Sequence, residues 1–233
     1  MRYYLLATSS DPNIIGVKNG IMQVKICDTE FIELARYVDS ALYAKLNDIN
    51  IDLHESVKTM SITCVKKLKN AKMTDFISFA PALSWFPFFV NKKAVNILSN
   101  FKSSILQLIP VMIANDVYSF NEYSLVLIES LTWDVVDYIE SIFYTGSELA
   151  RNKQQYTFSN KKEHEAAIKE HFLLVPEKIV LNDSFDKGLD LFQMPGTGIY
   201  ISDRLKSVLE RENITGISIS ERRLPIVELL EVI

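Results

Sequence analysis

A short strand, a capping residue and an amphipathic helix follow one another in Ile199-Tyr200-Ile201-Ser202-Asp203-Arg204-Leu205-Lys206-Ser207-Val208-Leu209. The side chain of Ser202 can accept a hydrogen bond from the first free backbone N–H groups of a helix. The apolar residues that follow fall on one helical face: Leu205, Val208 and Leu209. This stretch therefore predicts a strand-cap-helix unit with one buried helix face.

A second copy of the pattern lies 111 residues earlier, in Phe88-Phe89-Val90-Asn91-Lys92-Lys93-Ala94-Val95-Asn96-Ile97-Leu98. Asn91 stands at the capping position of this copy. An apolar strand follows each helix, at Ile105–Ile113 after the first and at Ile214–Ile219 after the second. The chain is therefore predicted to contain two strand-cap-helix-strand units, around residues 88–113 and 199–219.

Apolar periodicity predicts further elements on both sides of these units. The predicted strands are Tyr3–Ala7, Ile21–Cys27, Ile62–Val65, Tyr123–Ile128 and Trp133–Tyr138, and the second of them is expected to be the hairpin partner of the first. The predicted helices are Glu30–Leu46 and Lys161–Phe172. Together these elements indicate an α+β fold with mixed or antiparallel sheets and packed helices.

The domain organisation has two interpretations. In the first, residues 1–72 form an N-terminal α/β portion and residues 73–233 form a separate α+β domain. In the second, the chain is one continuous domain over 1–233. A chain of 233 residues is long enough for either arrangement, and for a core that needs neither a disulfide nor a metal ion.

Composition and cysteine content indicate a cytoplasmic globular protein. Hydrophobic residues make up 48% of the chain and charged residues 23%, which is close to the globular average. Cys27 and Cys64 are too few for a secreted disulfide scaffold, so reduced thiols are expected. The most apolar stretch, Phe76–Val90, is too short to span a bilayer and contains Pro81 and Pro87. We therefore expect no membrane association.

Charge is distributed unevenly along the chain. Residues 56–102 contain eight lysines and a single acid, Asp75, whereas residues 103–150 contain seven acids and no Lys or Arg. We call residues 103–150 the acid-only block. An acidic surface suits a basic partner and repels nucleic acid, and the formal net charge of −4 agrees with this. A solvated surface of no special function is the alternative interpretation.

No motif in the sequence supports catalysis, a cofactor or a metal ion. His164-Glu165 begins like the helical zinc-protease motif, but Ile168 stands where the second histidine is required. His164 and His171 would lie about 10 Å apart along a helix and are interpreted as solvated. Pro195-Gly196-Thr197-Gly198 lacks the Lys of a phosphate-binding loop and is interpreted as a turn.

Two aspartates and the two cysteines are also candidate catalytic or metal-binding residues, but their patterns support neither role. Asp134 and Asp137 are three residues apart in a predicted strand, so their side chains should point to opposite faces. Neither Cys27 nor Cys64 has a motif typical of a reactive or metal-binding thiol. We therefore expect a protein that is not an enzyme.

The C-terminal part of the chain resembles a family of bacterial proteins. The resemblance rests on Phe192, on Gly198–Lys206, on Leu209 and on Asn213-Ile214-Thr215-Gly216-Ile217. With looser matches at Thr74-Asp75-Phe76, at 87–98 and at 123–141, it extends over about residues 73–220. On these patterns the chain is similar to the immunity proteins of bacterial polymorphic toxin systems, in the families numbered eleven and forty-three, which were formerly domains of unknown function.

The resemblance implies a cytoplasmic immunity protein that binds a cognate toxin directly and neutralises it without catalysis. Its best-matched residues are expected to build the scaffold: Phe192, Gly198, Ser202, Asp203, Leu205 and Gly216. Ser202 would cap a helix, Asp203 would favour the positive end of that helix, and Gly216 would permit a turn. Contacts with the toxin are therefore expected elsewhere.

The acid-only block is the expected partner-binding region, because aromatic residues and complementary charge commonly anchor interfaces. The candidate residues are Asp116, Glu122, Trp133, Asp134, Asp137, Tyr138 and Glu140, with Tyr118, Tyr123 and Tyr144 as further exposed aromatics. Two alternatives stay open: an adaptor or subunit of another assembly, and an enzyme of unrecognised type with a histidine beside a carboxylate in a pocket. The sequence indicates no particular oligomeric state.

Overall fold

The computed structural model describes residues 2–18, 22–46, 59–81, 83–114, 120–171, 173–220 and 226–229. These residues contain five α-helices: α1 (Pro12–Ile15), α2 (Thr29–Leu46), α3 (Lys92–Leu98), α4 (Lys161–Glu170) and α5 (Asp203–Arg211). They also contain fifteen strands. The strands up to the middle of the chain are β1 (Arg2–Thr8), β2 (Val24–Ile26), β3 (Val65–Lys67), β4 (Phe76–Ile77), β5 (Phe79–Ala80), β6 (Phe89–Asn91), β7 (Ile105–Ala114) and β8 (Phe120–Ile128). The later strands are β9 (Val136–Thr145), β10 (Gln154–Tyr156), β11 (Val175–Leu181), β12 (Leu191–Met194), β13 (Gly198–Ile201), β14 (Ile217–Ser220) and β15 (Ile226–Leu229).

The strands form two mixed sheets. The first sheet has the order β10-β9-β11-β15-β1-β13-β12, with β14 also paired to β1, and the second has the order β4-β6-β8-β7-β3-β2-β5. Most neighbours are antiparallel, while β11–β15, β2–β5 and β3–β7 are parallel. The predicted α+β class, with mixed sheets and packed helices, is confirmed.

The N-terminal third contributes strands to both sheets. β1 lies in the first sheet, whereas β2 and β3 lie in the second, where they pair with β5 and β7 across residue 72. The predicted hairpin between Tyr3–Ala7 and Ile21–Cys27 is therefore wrong. The chain leaves β1 through α1, which is capped by Asp11 and ended by Gly16 at φ 78°, so β2 is carried away from β1.

Both predicted strand-cap-helix-strand units are present, as β6-α3-β7 and β13-α5-β14. The Asn91 side chain accepts a hydrogen bond from the Ala94 N–H at 3.0 Å, and the Ser202 hydroxyl accepts one from the Leu205 N–H at 3.2 Å. The buried faces of the two helices belong to a single apolar cluster, which contains Ala94, Leu98, Leu205 and Leu209. The two helices therefore pack on a shared core between the sheets.

The repetition extends further than the two units. β8 pairs antiparallel with both β6 and β7, and β1 pairs in the same way with both β13 and β14. Leu108 pairs with Val126 in the first copy, and Ile219 pairs with Leu6 in the second. Leu108 and Ile219 are 111 residues apart, so these strands keep the offset seen in the sequence. The first copy is thus β4-β6-β8-β7, and the second is β12-β13-β1-β14, completed by the N-terminal strand.

An aspartate supports the helix cap in each copy. The Asn91 backbone N–H donates to the Asp75 carbonyl at 3.0 Å, and its side-chain amide donates to the Asp75 carboxylate at 2.8 Å. The Ser202 backbone N–H donates to the Asp190 carbonyl at 2.9 Å, and its hydroxyl donates to the Asp190 carboxylate at 2.5 Å. Each cap is therefore fixed by an acid that directly precedes the neighbouring strand, β4 or β12.

The two copies also hold each other. The turn after α5 reaches the first copy, where the Phe76 N–H donates to the Thr215 carbonyl at 3.1 Å. The turn after α3 reaches the second copy, where the Ser104 N–H donates to the Leu191 carbonyl at 2.9 Å. These reciprocal backbone bonds join the two sheets at their common core.

Candidate functional site

The structure divides the acid-only block between the two sheets. Glu122 lies on β8 of the second sheet, whereas Asp137 and Glu140 lie on β9 of the first and Asp134 lies just before it. The candidates Asp116 and Tyr118 lie outside the described residues. The structure therefore does not gather the predicted partner-binding residues on a single sheet.

Two of the predicted exposed aromatics are buried. Tyr123 is 7% exposed and Tyr138 is 6% exposed. The Tyr123 hydroxyl donates to the Thr74 carbonyl at 2.8 Å, and burial raises the pKa of Tyr123 to about 12. The Tyr138 hydroxyl donates to the Trp133 carbonyl at 3.1 Å, and burial likewise raises the pKa of Tyr138. The prediction that these two tyrosines are exposed is wrong, because both occupy core-facing strand positions.

His164 is also buried, so its interpretation as a solvated helix histidine is wrong. It is 3% exposed, and aromatic rings surround it at centroid distances of 4.5–5.4 Å: Phe143, Trp133, Tyr138 and Phe158. Desolvation by burial lowers the pKa of His164 to about 4. We call these five residues the aromatic cage. Within it the half-buried Trp133 is a packing residue, and the neutral imidazole fills an apolar position on α4.

β9 contains a large, irregular bulge next to Asp137 and at Glu140. Lys178 of β11 pairs with Ile142 and Val180 pairs with Asp137, so the single residue between them on β11 faces residues 138–141. The Asp137 carboxylate accepts hydrogen bonds from the backbone N–H groups of Ile139 and Glu140, each at 3.0 Å. We call residues 137–140 the acidic bulge. Such bulges redirect side chains away from the regular pleat.

The bulge presents an apolar side chain between acids. Ile139 is 66% exposed, and Glu140 beside it is also exposed. On the inner side, the Ser141 hydroxyl accepts the Val180 N–H at 2.9 Å and so completes the interrupted ladder. The sequence made Asp137 and Glu140 candidate partner-binding residues but did not predict that Ile139 is exposed. The regular alternation of a strand does not anticipate a bulge.

Asp134 does not belong to the strand. It lies in a 3₁₀ turn, Trp133–Val135, so the predicted strand begins only at Val136. Its carboxylate accepts a hydrogen bond from the Lys161 ammonium at 2.9 Å, and this bond lowers the pKa of Asp134. Asp134 therefore has a cationic partner within the chain, and this ion pair weakens the attraction of its carboxylate for a basic residue of another protein.

Two grooves could hold a ligand. The first has a volume of about 600 Å³ between β7, β8 and α3, and its lining includes Lys92, Met112 and Glu122. The second has a volume of about 660 Å³, and its lining includes Asp39, Trp85 and the turn 195–198 between β12 and β13. Among the described residues, no histidine lines either groove.

Over the described ranges, no three His, Cys, Asp or Glu side chains are grouped so that they could hold a metal ion. No helix in that same part of the chain has both the length and the apolar character needed to cross a membrane.

The expected scaffold residues lie in the core, at the start of α5 or at backbone positions with positive φ angles. Phe192 and Leu205 are fully buried, and Ser202 caps α5. Asp203 begins α5 and accepts a hydrogen bond from the Tyr4 hydroxyl at 3.3 Å. The remaining two scaffold residues have positive φ angles, 148° at Gly198 and 81° at Gly216.

No family model matches the chain. No curated protein and no solved structure matches it either.

Proposed function

We propose that this chain is an immunity protein that works in the bacterial cytoplasm by binding a cognate toxin through the acidic bulge and blocking it without catalysis. The proposal rests on the resemblance over about residues 73–220 and on one structural observation. That observation is the exposed Ile139, which is presented by a strand bulge beside Glu140.

The acidic bulge has the properties of a small docking point. Burying an isoleucine side chain in an interface contributes about 1.5–3 kcal/mol, which is typical of an anchoring residue. The Asp137 carboxylate fixes the backbone of Ile139 and Glu140, so little conformational entropy is lost when a partner binds. An apolar side chain on a rigid support is what a protein partner can recognise.

The acids beside Ile139 in the sequence indicate the chemistry of the partner. Asp137 and Glu140 flank it, and residues 103–150 contain no Lys or Arg. A basic toxin surface would be steered towards these acids at low salt, and the steering would weaken as salt rises. We therefore propose a toxin with a positively charged surface around an apolar pocket that accepts Ile139.

The experiment is a protection and binding assay with the toxin domain encoded beside this chain. Co-expression should restore growth of cells that produce the toxin domain, and the two purified proteins should elute together from gel filtration. Absence of a toxin gene beside this one, or failure of the two proteins to associate, would overturn the proposal. Association without restored growth would indicate an adaptor instead.

A further inference from the structure

The two cysteines face each other across neighbouring strands. Cys27 directly follows β2, Cys64 directly precedes β3, and these strands are antiparallel with Ile26 opposite Val65. The Cys27 N–H donates to the Cys64 carbonyl at 2.8 Å, so the ladder continues through this pair. Opposed residues of a hydrogen-bonded antiparallel pair have Cα atoms about 5.5 Å apart, which lies inside the range of disulfides.

The thiol groups are free and lie on opposed residues. Both cysteines are half-buried, so a small reagent can reach them. The Cys27 thiol lies close enough to affect the pKa of the Cys64 thiol, and the Cys27 thiol donates to the Lys25 carbonyl at 3.6 Å. The strand pairing thus brings the two cysteines opposite each other, although 37 positions separate them in the sequence.

The backbone on both sides of the pair is held in place. On one side the regular β2–β3 ladder begins at Ile26 and Val65. On the other side the Asp28 carboxylate accepts the Thr63 backbone N–H at 2.8 Å and the Thr63 hydroxyl at 2.6 Å. Joining the sulfurs therefore requires side-chain rotation and little movement of the backbone.

We propose that Cys27 and Cys64 are a reversible oxidation site that forms an intramolecular disulfide on reaction with a low-molecular-weight disulfide such as oxidised glutathione. One protein thiolate attacks a sulfur of the reagent and expels one molecule of reduced thiol, which gives a mixed disulfide. The second protein thiolate then attacks the protein sulfur and expels the other reduced thiol. Two protein thiols are oxidised and one reagent disulfide is reduced.

The surroundings keep the pair reduced under mild conditions. Burial, followed by the interaction with the neighbouring Cys27 thiol, raises the pKa of the Cys64 thiol. Since the thiolate is the nucleophile, a raised pKa slows the reaction at neutral pH. Attack by the Cys64 thiol is therefore slow at a low concentration of oxidant.

The oxidised form should be more stable, because the new bond closes the chain from residue 27 to residue 64 and restricts the unfolded state. For a chain of this length we expect a rise in Tm of roughly 5–10 °C. This proposal is independent of the toxin and of the acidic bulge.

The test is a titration of the full chain with oxidised glutathione, followed by intact-mass analysis and peptide mapping without reduction. We expect a loss of mass equal to two hydrogen atoms, a peptide that links Cys27 to Cys64, a higher Tm and full reversal by dithiothreitol. A wild-type chain that stops at the mixed disulfide, or that forms disulfide-linked dimers, would disprove the proposal.

The matched controls are Cys27→Ser and Cys64→Ser. Each should accumulate one glutathione by mass and show no rise in Tm, since the second thiol is missing. If Cys64→Ser does not fold, Cys64→Ala replaces it. A rise in Tm in either single variant would also contradict the proposal.

Discussion

The Asp75 carboxylate accepts hydrogen bonds from both the backbone N–H and the hydroxyl of Thr215, each at 2.7 Å. The two residues are 140 positions apart, and their contact joins the start of β4 to the turn before β14. Burial by itself raises the pKa of Asp75, but the hydrogen bonds from Thr215 and Asn91 outweigh it, so the pKa lies below its usual value. One carboxylate thus connects the two copies of the repeated fold.

Asp75→Asn should destabilise the protein. Both carboxylate oxygens accept from donors, so an amide must place its NH₂ group against the donors of either Asn91 or Thr215. We expect a loss of about 2–3 kcal/mol in the free energy of unfolding, measured by urea denaturation. Asp183→Asn is the control, because Asp183 is 73% exposed in a surface pair with Lys187 and should cost less than about 0.5 kcal/mol. Equal effects of the two substitutions would contradict the role given to Asp75.

Gly216→Ala should destabilise more than Gly196→Ala. Both glycines have positive φ angles, 81° and 66°, so both substitutions carry a backbone cost of about 1 kcal/mol. A Cβ at Gly216 would lie 2.1 Å from the Phe76 carbonyl oxygen, whereas one at Gly196 would meet nothing within 4 Å. We expect an additional loss of at least about 1–3 kcal/mol at Gly216, compared by thermal and urea unfolding. Similar losses would mean that this close approach does not exist.

Acidification should destabilise the protein through His164. The pKa of His164 is about 4 in the folded chain, against 6.5 as its ordinary value, so the unfolded chain binds the proton more readily. The stabilisation is complete above pH 6.5 and is lost as the pH falls towards 4. The loss attributable to this residue is about 3 kcal/mol, at about 1.4 kcal/mol for each pH unit.

The measurement is the difference in unfolding free energy between wild type and His164→Phe across that pH range. The variant should be relatively more stable at pH 4.5 than at pH 7.5. His171→Phe makes the same change at the half-exposed C-terminal cap of the same helix and serves as the matched control. A constant difference between wild type and His164→Phe would exclude a buried neutral histidine.

Glu140→Lys should slow association with the proposed toxin partner. The substitution reverses a charge in the acidic bulge, and we expect a several-fold lower association rate at low salt that approaches the wild-type rate at high salt. Glu122→Lys is matched to it, since it makes the same change in net charge at an exposed acid of the other sheet. Equal slowing by both variants would show that net charge, and not the bulge, steers binding.

Ile139→Ser should weaken binding without affecting folding. Ile139 is 66% exposed, so the change in unfolding free energy should stay within about 0.5 kcal/mol. If Ile139 is the anchor, the Kd for the toxin should rise about tenfold or more, as measured by calorimetry. Ile168→Ser, at an isoleucine of α4 that is 44% exposed, serves as the control. An unchanged Kd for Ile139→Ser would move the binding surface elsewhere.

The local sequence was sufficient to predict the two strand-cap-helix-strand units. A cap at Asn91 or Ser202 acts on an N–H three residues away, and the apolar face of each helix repeats within two turns. These features depend on short stretches of chain. The sequence therefore predicted both units, which lie 111 residues apart. The distribution of charge along the chain led to a different prediction, that Asp137 and Glu140 contact a partner, and this stays a prediction.

The tertiary structure alone decided which distant residues meet. It placed β1 in the second copy of the repeat, Asp75 on Thr215, Cys27 opposite Cys64 and His164 among aromatic rings. It also inserted the bulge that exposes Ile139. Strand pairing and core packing are set by the balance of burial over the whole chain, and the spacing of neighbouring residues carries no record of that balance.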